Sequence, residues 1–130
     1  MKSTDLVTSG DFSSLIGIPY EEKNCFDLTR EFYRLVLGIE LKHYFDGKDP
    51  GRDQTKALIY TNIGDFIKVE VPEFGDIVLI KLYGVESHIA VYVGGDKILH
   101  TLKGAGSLLD RLGRWDKNIV GFYRVRGDSQ

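Results

Sequence analysis

The chain contains one cysteine, Cys25, and three histidines, His43, His88 and His100. A thiolate nucleophile, an imidazole base and a group that orients the base form a working set for acyl transfer. A free thiol has a pKa of about 8.5, and a helix N-terminus or a nearby imidazolium lowers it. Cys25 follows Asn24, a residue type that caps helices, and Asp27 lies three positions after the cap. Cys25 is therefore expected as the first residue inside a helix, at its positive end. His88 and His100 fall on two consecutive predicted strands, which makes His88 the candidate base and His100 its orienting partner. His43 lies in a polar stretch before an exposed loop and reads as a solvated histidine.

Equal parity does not by itself put His88 and His100 on one face of a sheet. A two-residue hairpin loop would pair odd with even positions and leave the histidines on opposite faces. A three-residue loop, Gly94-Gly95-Asp96, pairs Val93 with Lys97 and sets Ala90 opposite His100. His88 is then the diagonal neighbour on the same face, roughly 7–8 Å away at the backbone, within reach of two imidazoles. Two glycines suit such a loop, which needs positive φ.

Each residue also has a plainer reading. Free cysteine is often core packing, and strand histidines are often structural. Tyr20, Trp115, Phe122 and Tyr123 can be core or groove wall. Asp27 and Asp76 suit capping and turn chemistry better than acid–base catalysis. Cys25, His88 and His100 are also residue types that suit zinc. Stoichiometric zinc in the purified protein would overturn the thiol reading, which needs no metal and no cofactor.

The elements that must position these groups are legible in outline. Ser13 to Tyr20 reads as a short helical turn broken at Gly17 and Pro19. Leu28, Phe32, Leu35 and Val36 form one helical stripe, with Asp27, Arg30, Glu31 and Arg34 opposite. This predicts an amphipathic helix over Cys25–Leu37, closed by Gly38. Phe45 to Asp53 reads as a loop, and Gln54 to Ile63 as a second helix ended by Gly64. Strands are expected over Phe66–Val71, Asp76–Leu82, His88–Val93, Lys97–Leu102 and Ile119–Val125. The apolar run in the second of these suits a central strand. Gly104 to Gly106 reads as flexible, and Leu108 to Lys117 is ambiguous. Helices first and hairpin-linked strands after them predict an α+β fold with an antiparallel sheet.

A length of 130 residues fits one domain, expected to span residues 1–130. With 42% apolar and 28% charged residues, the chain is expected to fold throughout. A net charge of −2 leaves no footprint for nucleic acid. No stretch approaches the roughly 20 apolar residues of a membrane span. Met1 to Gly10 has one lysine and no apolar core, so no secretory signal is expected there. Synthesis in a cytoplasm follows, with any work outside the cell requiring another route of delivery. A single cysteine excludes an internal disulfide.

Taken in order, several segments resemble the NlpC-type cell-wall cysteine peptidases. Gly17-Ile18-Pro19-Tyr20 followed by Asn24-Cys25-Phe26-Asp27-Leu28 is similar to that family's nucleophile region. Phe74-Gly75-Asp76-Ile77-Val78 resembles its Gly-Asp strand, and His88-Ile89-Ala90-Val91-Tyr92-Val93 its histidine strand. Ile98-Leu99-His100 resembles the strand that supplies the third residue, and Gly121-Phe122-Tyr123-Arg124 the closing strand. The likeness runs from about Ser14 to Arg126 and is greatest to the branch found in bacteriophage tail proteins.

The resemblance implies a papain-like fold with N-terminal helices packed on a C-terminal sheet. It implies a Cys25–His88–His100 triad acting on peptidoglycan stem peptides, commonly after D-glutamate and before a diamino acid. It further implies that the Tyr20 hydroxyl and backbone N–H groups around Cys25, that of Phe26 included, serve the oxyanion. Phage tail proteins become candidate partners, and the virion a candidate location. The family usually has Asp before the cysteine and Ser-Gly after it; here Asn24, Phe26 and Asp27 stand there. Asn24 still caps. Phe26 keeps its backbone donor but narrows the space, and the Asp27 charge tends to raise the thiol pKa. A tail component of low activity and a related thiol amidase therefore stand as alternatives.

Overall fold

The computed structural model describes residues 11–41, 66–82 and 85–125. The expected loop Phe45–Asp53, the expected helix Gln54–Ile63 and His43 lie outside them. The described elements include one α-helix, α1 (Cys25–Phe32), and six strands. The strands are β1 (Phe66–Val69), β2 (Ile77–Leu82), β3 (Val85–Tyr92), β4 (Lys97–Leu102), β5 (Gly106–Arg111) and β6 (Ile119–Val125). They form a single antiparallel sheet in the order β1-β6-β2-β3-β4-β5. The fold is α+β, as the order of patterns along the sequence predicts. Among the described residues no helix is long and apolar enough to cross a membrane.

Alternation along the strands divides the core in two. Ile77, Leu79, Ile89, Val91, Leu99 and Tyr123 join Cys25, Phe26, Leu28 and Phe32 in a cluster between the sheet and α1. Val78, Ile80, Ala90 and Ile98 form a second cluster on the other side. That side is covered by Leu112 and Trp115 of a 3₁₀ helix, Leu112–Asn118. The unbroken apolar run Ile77-Val78-Leu79-Ile80 has its physical reason here: β2 is covered on both faces.

An eight-residue helix is marginal in water by itself. Leu28 and Phe32 are fully buried, and each such side chain contributes roughly 1.5–3 kcal/mol. This packing, rather than intrinsic propensity, holds α1 in place. Its start matches the expected one: the Asn24 side chain accepts a hydrogen bond from the Asp27 backbone N–H at 2.9 Å.

Its end does not. The α-helix stops at Phe32 and continues as a π-helical segment, Tyr33–Leu37, before Gly38 takes a left-handed φ of 69°. The wider turn retards the rotation of the chain. Leu35, expected on the apolar stripe, is exposed, and Tyr33 is buried in its place. The Tyr33 hydroxyl donates to the Gly75 carbonyl. Burial, and secondarily the nearby Asp76 carboxylate, raise the Tyr33 pKa, so the hydroxyl keeps its proton. Asp76 does turn and bracing work: it accepts from the Glu73 backbone N–H at 2.7 Å and from both Nε and Nη2 of Arg124.

Gly104–Gly106 and the ambiguous stretch after it are resolved as a tight turn and strand β5. The turn makes β4 and β5 a hairpin, with Thr101 paired to Ser107 and Ile98 to Asp110. The N-terminal arm is laid along β5. The Ser107 backbone N–H donates to the Ile18 carbonyl, and Gly17 N–H to the Ser107 carbonyl. The Ser107 hydroxyl bridges the Leu15 carbonyl and the Ile18 N–H. Gly106 sits at the closest approach: its φ is +78°, and a Cβ there would lie 2.8 Å from the Ile18 carbonyl oxygen. Gly104 has φ +85° with nothing within 4 Å. Gly104→Ala should therefore cost about 1–2 kcal/mol from backbone strain alone. Gly106→Ala should cost more, because the arm must also move. Urea unfolding of both variants tests this; equal losses would mean that the contact with the arm carries no weight.

Candidate active site

The β3–β4 connection is the three-residue loop that the histidine pairing requires. Val91 pairs with Leu99 and Tyr92 with Ile98. The Val93 N–H donates to the Lys97 carbonyl, and Lys97 N–H to the Gly94 carbonyl. Gly94, Gly95 and Asp96 have φ of 88°, 59° and 63°. Aspartate is among the few side chains that tolerate this region, and Asp96 is tied on both sides. Its N–H donates to the Tyr92 hydroxyl, and its carbonyl accepts from the Leu112 N–H. The register, continued one residue, sets Ala90 opposite His100 and His88 on its diagonal.

His88 and His100 meet. His88 Nε2 and His100 Nδ1 are 2.9 Å apart, and both side chains are buried. A β-bulge between Ile80 and Lys81 pairs Ile80 with His88 and Lys81 with Glu86, so the backbone irregularity falls beside the candidate base. Bulges commonly re-aim side chains in this way.

The pair continues into two residues that the sequence reading did not assign to the site. His100 Nε2 lies 3.1 Å from Asp110 Oδ2. Trp115 Nε1 donates to the same oxygen at 3.1 Å. The other carboxylate oxygen, Oδ1, accepts from the Arg111 backbone N–H at 2.8 Å and from Arg114 Nη1 at 3.3 Å. The Trp115 ring packs edge-on against His100, with centroids 5.5 Å apart, and lies 6.4 Å from His88. The available signal was alternation: in a β4–β5 hairpin, Asp110 lies diagonal to His100. The ambiguous reading of Leu108–Lys117 concealed it.

Cys25 is the first residue of α1, 6% exposed, and its carbonyl accepts from the Thr29 hydroxyl. It belongs to the cluster between α1 and the sheet, together with Ile89, Val91 and Leu99. His88 and His100 alternate with those residues along β3 and β4, and both rings pack near Trp115. α1 packs against β3 and β4, the two strands that carry the histidines. Phe26 is buried, and the Arg30 guanidinium lies 6.0 Å from its ring. Tyr20 stands on the N-terminal arm with Lys103 Nζ 5.6 Å from its ring.

The electrostatics favour neutral rings. Burial pushes the His88 pKa down to about 3, and His100 adds to the shift. Burial also lowers His100, with Asp110 working in the opposite direction. Burial alone would raise Asp110, but hydrogen bonds from Trp115, the Arg111 backbone, His100 and Arg114 together hold it below its usual value. At neutral pH the network is thus two neutral imidazoles ending on a carboxylate. Both ring nitrogens of His100 are engaged in hydrogen bonds. Among the described residues, no three His, Cys, Asp or Glu side chains are grouped to hold a metal ion.

This architecture, a helix-borne cysteine over an antiparallel sheet with paired strand histidines, is papain-like α+β. The chain is similar to a solved structure from Staphylococcus aureus subsp. aureus Mu50, described as similar to a lipoprotein of the NLP/P60 family. The match has a TM-score of 0.60 at 19% identity, and covers 96% of this chain and 42% of that one. At this identity the likeness speaks for the fold. The NlpC/P60 family model matches residues 15–124, and the chain belongs to that family. Comparison with curated proteins gives no match.

Buried neutral His88 makes stability depend on pH. Its pKa is about 3 folded and near the ordinary 6.5 unfolded, so the unfolded chain binds more protons between those values. This contribution is fully present above pH 6.5 and is lost as pH falls toward 3, by up to about 1.4 kcal/mol per unit. Urea midpoints should fall between pH 7 and pH 5, and more steeply for wild type than for His88→Gln. Parallel slopes for the two proteins would refute the assignment.

Proposed function

We propose that this chain is a cysteine endopeptidase that hydrolyses peptide bonds in peptidoglycan stem peptides. Membership of the NlpC/P60 family points to cell-wall peptide hydrolysis. The observation that carries the residue assignment is the His88–His100 hydrogen bond, on strands packed against the helix that Cys25 begins. The Cys25 thiolate attacks the scissile carbonyl carbon. His88 accepts the thiol proton and then delivers a proton to the leaving amine. The acyl-enzyme thioester is released by water, which His88 deprotonates in turn. His100 orients His88. The Tyr20 hydroxyl and the backbone N–H groups at Cys25 and Phe26 are assigned to the oxyanion on the family's pattern.

The step requires the Cys25 thiol and His88 Nδ1 to come within hydrogen-bond reach. Such pairs often tighten only when substrate is bound. The likeness to phage tail proteins makes the virion the proposed place of work, with tail proteins as partners and the bacterial wall as target. A second reading has its own support. Cys25 and Phe26 are 6% and 4% exposed, a degree of burial that suits a tail component of the same fold with little activity.

Digestion of purified murein separates the two readings. Wild type should release stem-peptide fragments identifiable by mass spectrometry, and Cys25→Ala should lose release by a factor on the order of 10³ or more. Equal release by both proteins would exclude Cys25 as nucleophile. Iodoacetamide kinetics at pH 6.5 provide a second measure. Alkylation of Cys25 should be fast in wild type and slow in His88→Ala. A thiol inert in both would favour the structural component.

A further inference from the structure

We infer that Asp110 is a positioning residue that sets the tautomers of both histidines, so that His88 presents an unprotonated Nδ1 to the thiol. The inference rests on the Cys25–His88 reading above and adds to it a residue outside the three-residue set.

The argument is a count of protons. A carboxylate only accepts hydrogen bonds. Asp110 is buried and receives four donors, with His100 Nε2 and Trp115 Nε1 on Oδ2 and the Arg111 N–H and Arg114 Nη1 on Oδ1. The proton of neutral His100 is therefore on Nε2, and its Nδ1 carries a lone pair. At 2.9 Å from that lone pair, His88 Nε2 must be the donor. A neutral imidazole has one N–H, so His88 Nδ1 is left as the basic nitrogen. Trp115 fixes the direction from which the carboxylate faces His100, because its N–H shares the same oxygen.

The reverse arrangement shows what Asp110 prevents. With His100 protonated on Nδ1, that nitrogen would donate to His88 Nε2. The His88 proton would then sit on Nδ1, and the base would have no lone pair for the thiol. The same two rings at the same distance would be inactive. The distance alone does not distinguish the two states; the carboxylate at the far end does. Burial reinforces the choice, because an imidazole nitrogen without a partner in this environment is costly.

The test reads the tautomers directly. Long-range ¹H–¹⁵N spectra of the full chain at pH 7, assigned with His88→Gln and His43→Gln, should show His88 and His100 both protonated on Nε2. A wild-type His88 proton on Nδ1 would overturn the inference without any variant. In Asp110→Leu, no acceptor faces His100 Nε2, and rings protonated on Nδ1 should appear. Murein hydrolysis by that variant should fall roughly 10- to 100-fold, the usual effect of losing a group that orients an imidazole. Trp115→Phe, which leaves the Asp110–His100 bond, should keep the wild-type tautomers. Unchanged tautomers in Asp110→Leu would also refute the role. If instead Cys25→Ala hydrolyses murein as wild type does, the peptidase reading fails while the tautomers still report on Asp110.

Discussion

An odd loop decides which side of the sheet each histidine occupies. In an antiparallel hairpin a slip of one residue moves every side chain of a strand to the other face. Gly94, Gly95 and Asp96, all with positive φ, keep the count between Val93 and Lys97 at three. His88 and His100 then share a side and close to 2.9 Å. The loop also reaches the site's other half: the Asp96 carbonyl holds the Leu112 N–H, at the start of the 3₁₀ helix that carries Trp115. One turn therefore sets the histidine register and anchors the segment that covers it.

Burial makes this arrangement demanding. Two imidazoles, a carboxylate and an indole N–H are packed beside Ala90 and Ile98, where an unpaired polar group costs free energy. The network meets that demand by joining the groups in a line that ends on Asp110. Networks of this kind are rigid when fully satisfied. The same rigidity suits a base that must keep one nitrogen directed at its target.

The nucleophile is positioned by a different set of contacts. The Asn24 cap sets where α1 begins, and Leu28 and Phe32 hold it to the sheet. The arm ahead of it is fastened to β5 through Ser107 and Gly106, so Tyr20 and Cys25 are tied to the hairpin that supplies His100 and Asp110. Tyr33 and the Asp76–Arg124 pair brace the far end of the helix and the entry to β2.

Much of this is local and therefore legible in the sequence. The Asn24 cap, the apolar run of β2, the Gly-Gly-Asp loop with its histidine parity and the bounds of β4 and β6 depend on neighbouring residues alone. The α+β order follows from the same patterns. What local pattern could not decide depends on distant partners. Leu35 and Tyr33 exchange places because a π-helical segment allows the Tyr33 hydroxyl to reach Gly75 across the core. β5 was obscured because its outward residues Leu109 and Arg111 frame a buried Asp110, a pattern that reads as neither strand nor helix. Asp110 and Trp115 joined the site only when β5 paired with β4 and the following 3₁₀ helix folded over the imidazoles. The sequence by itself determined the types of the reacting groups and the register that pairs the histidines. Only tertiary packing decided which buried carboxylate completes their hydrogen bonding, because that partner is chosen by sheet pairing and burial rather than by spacing along the chain.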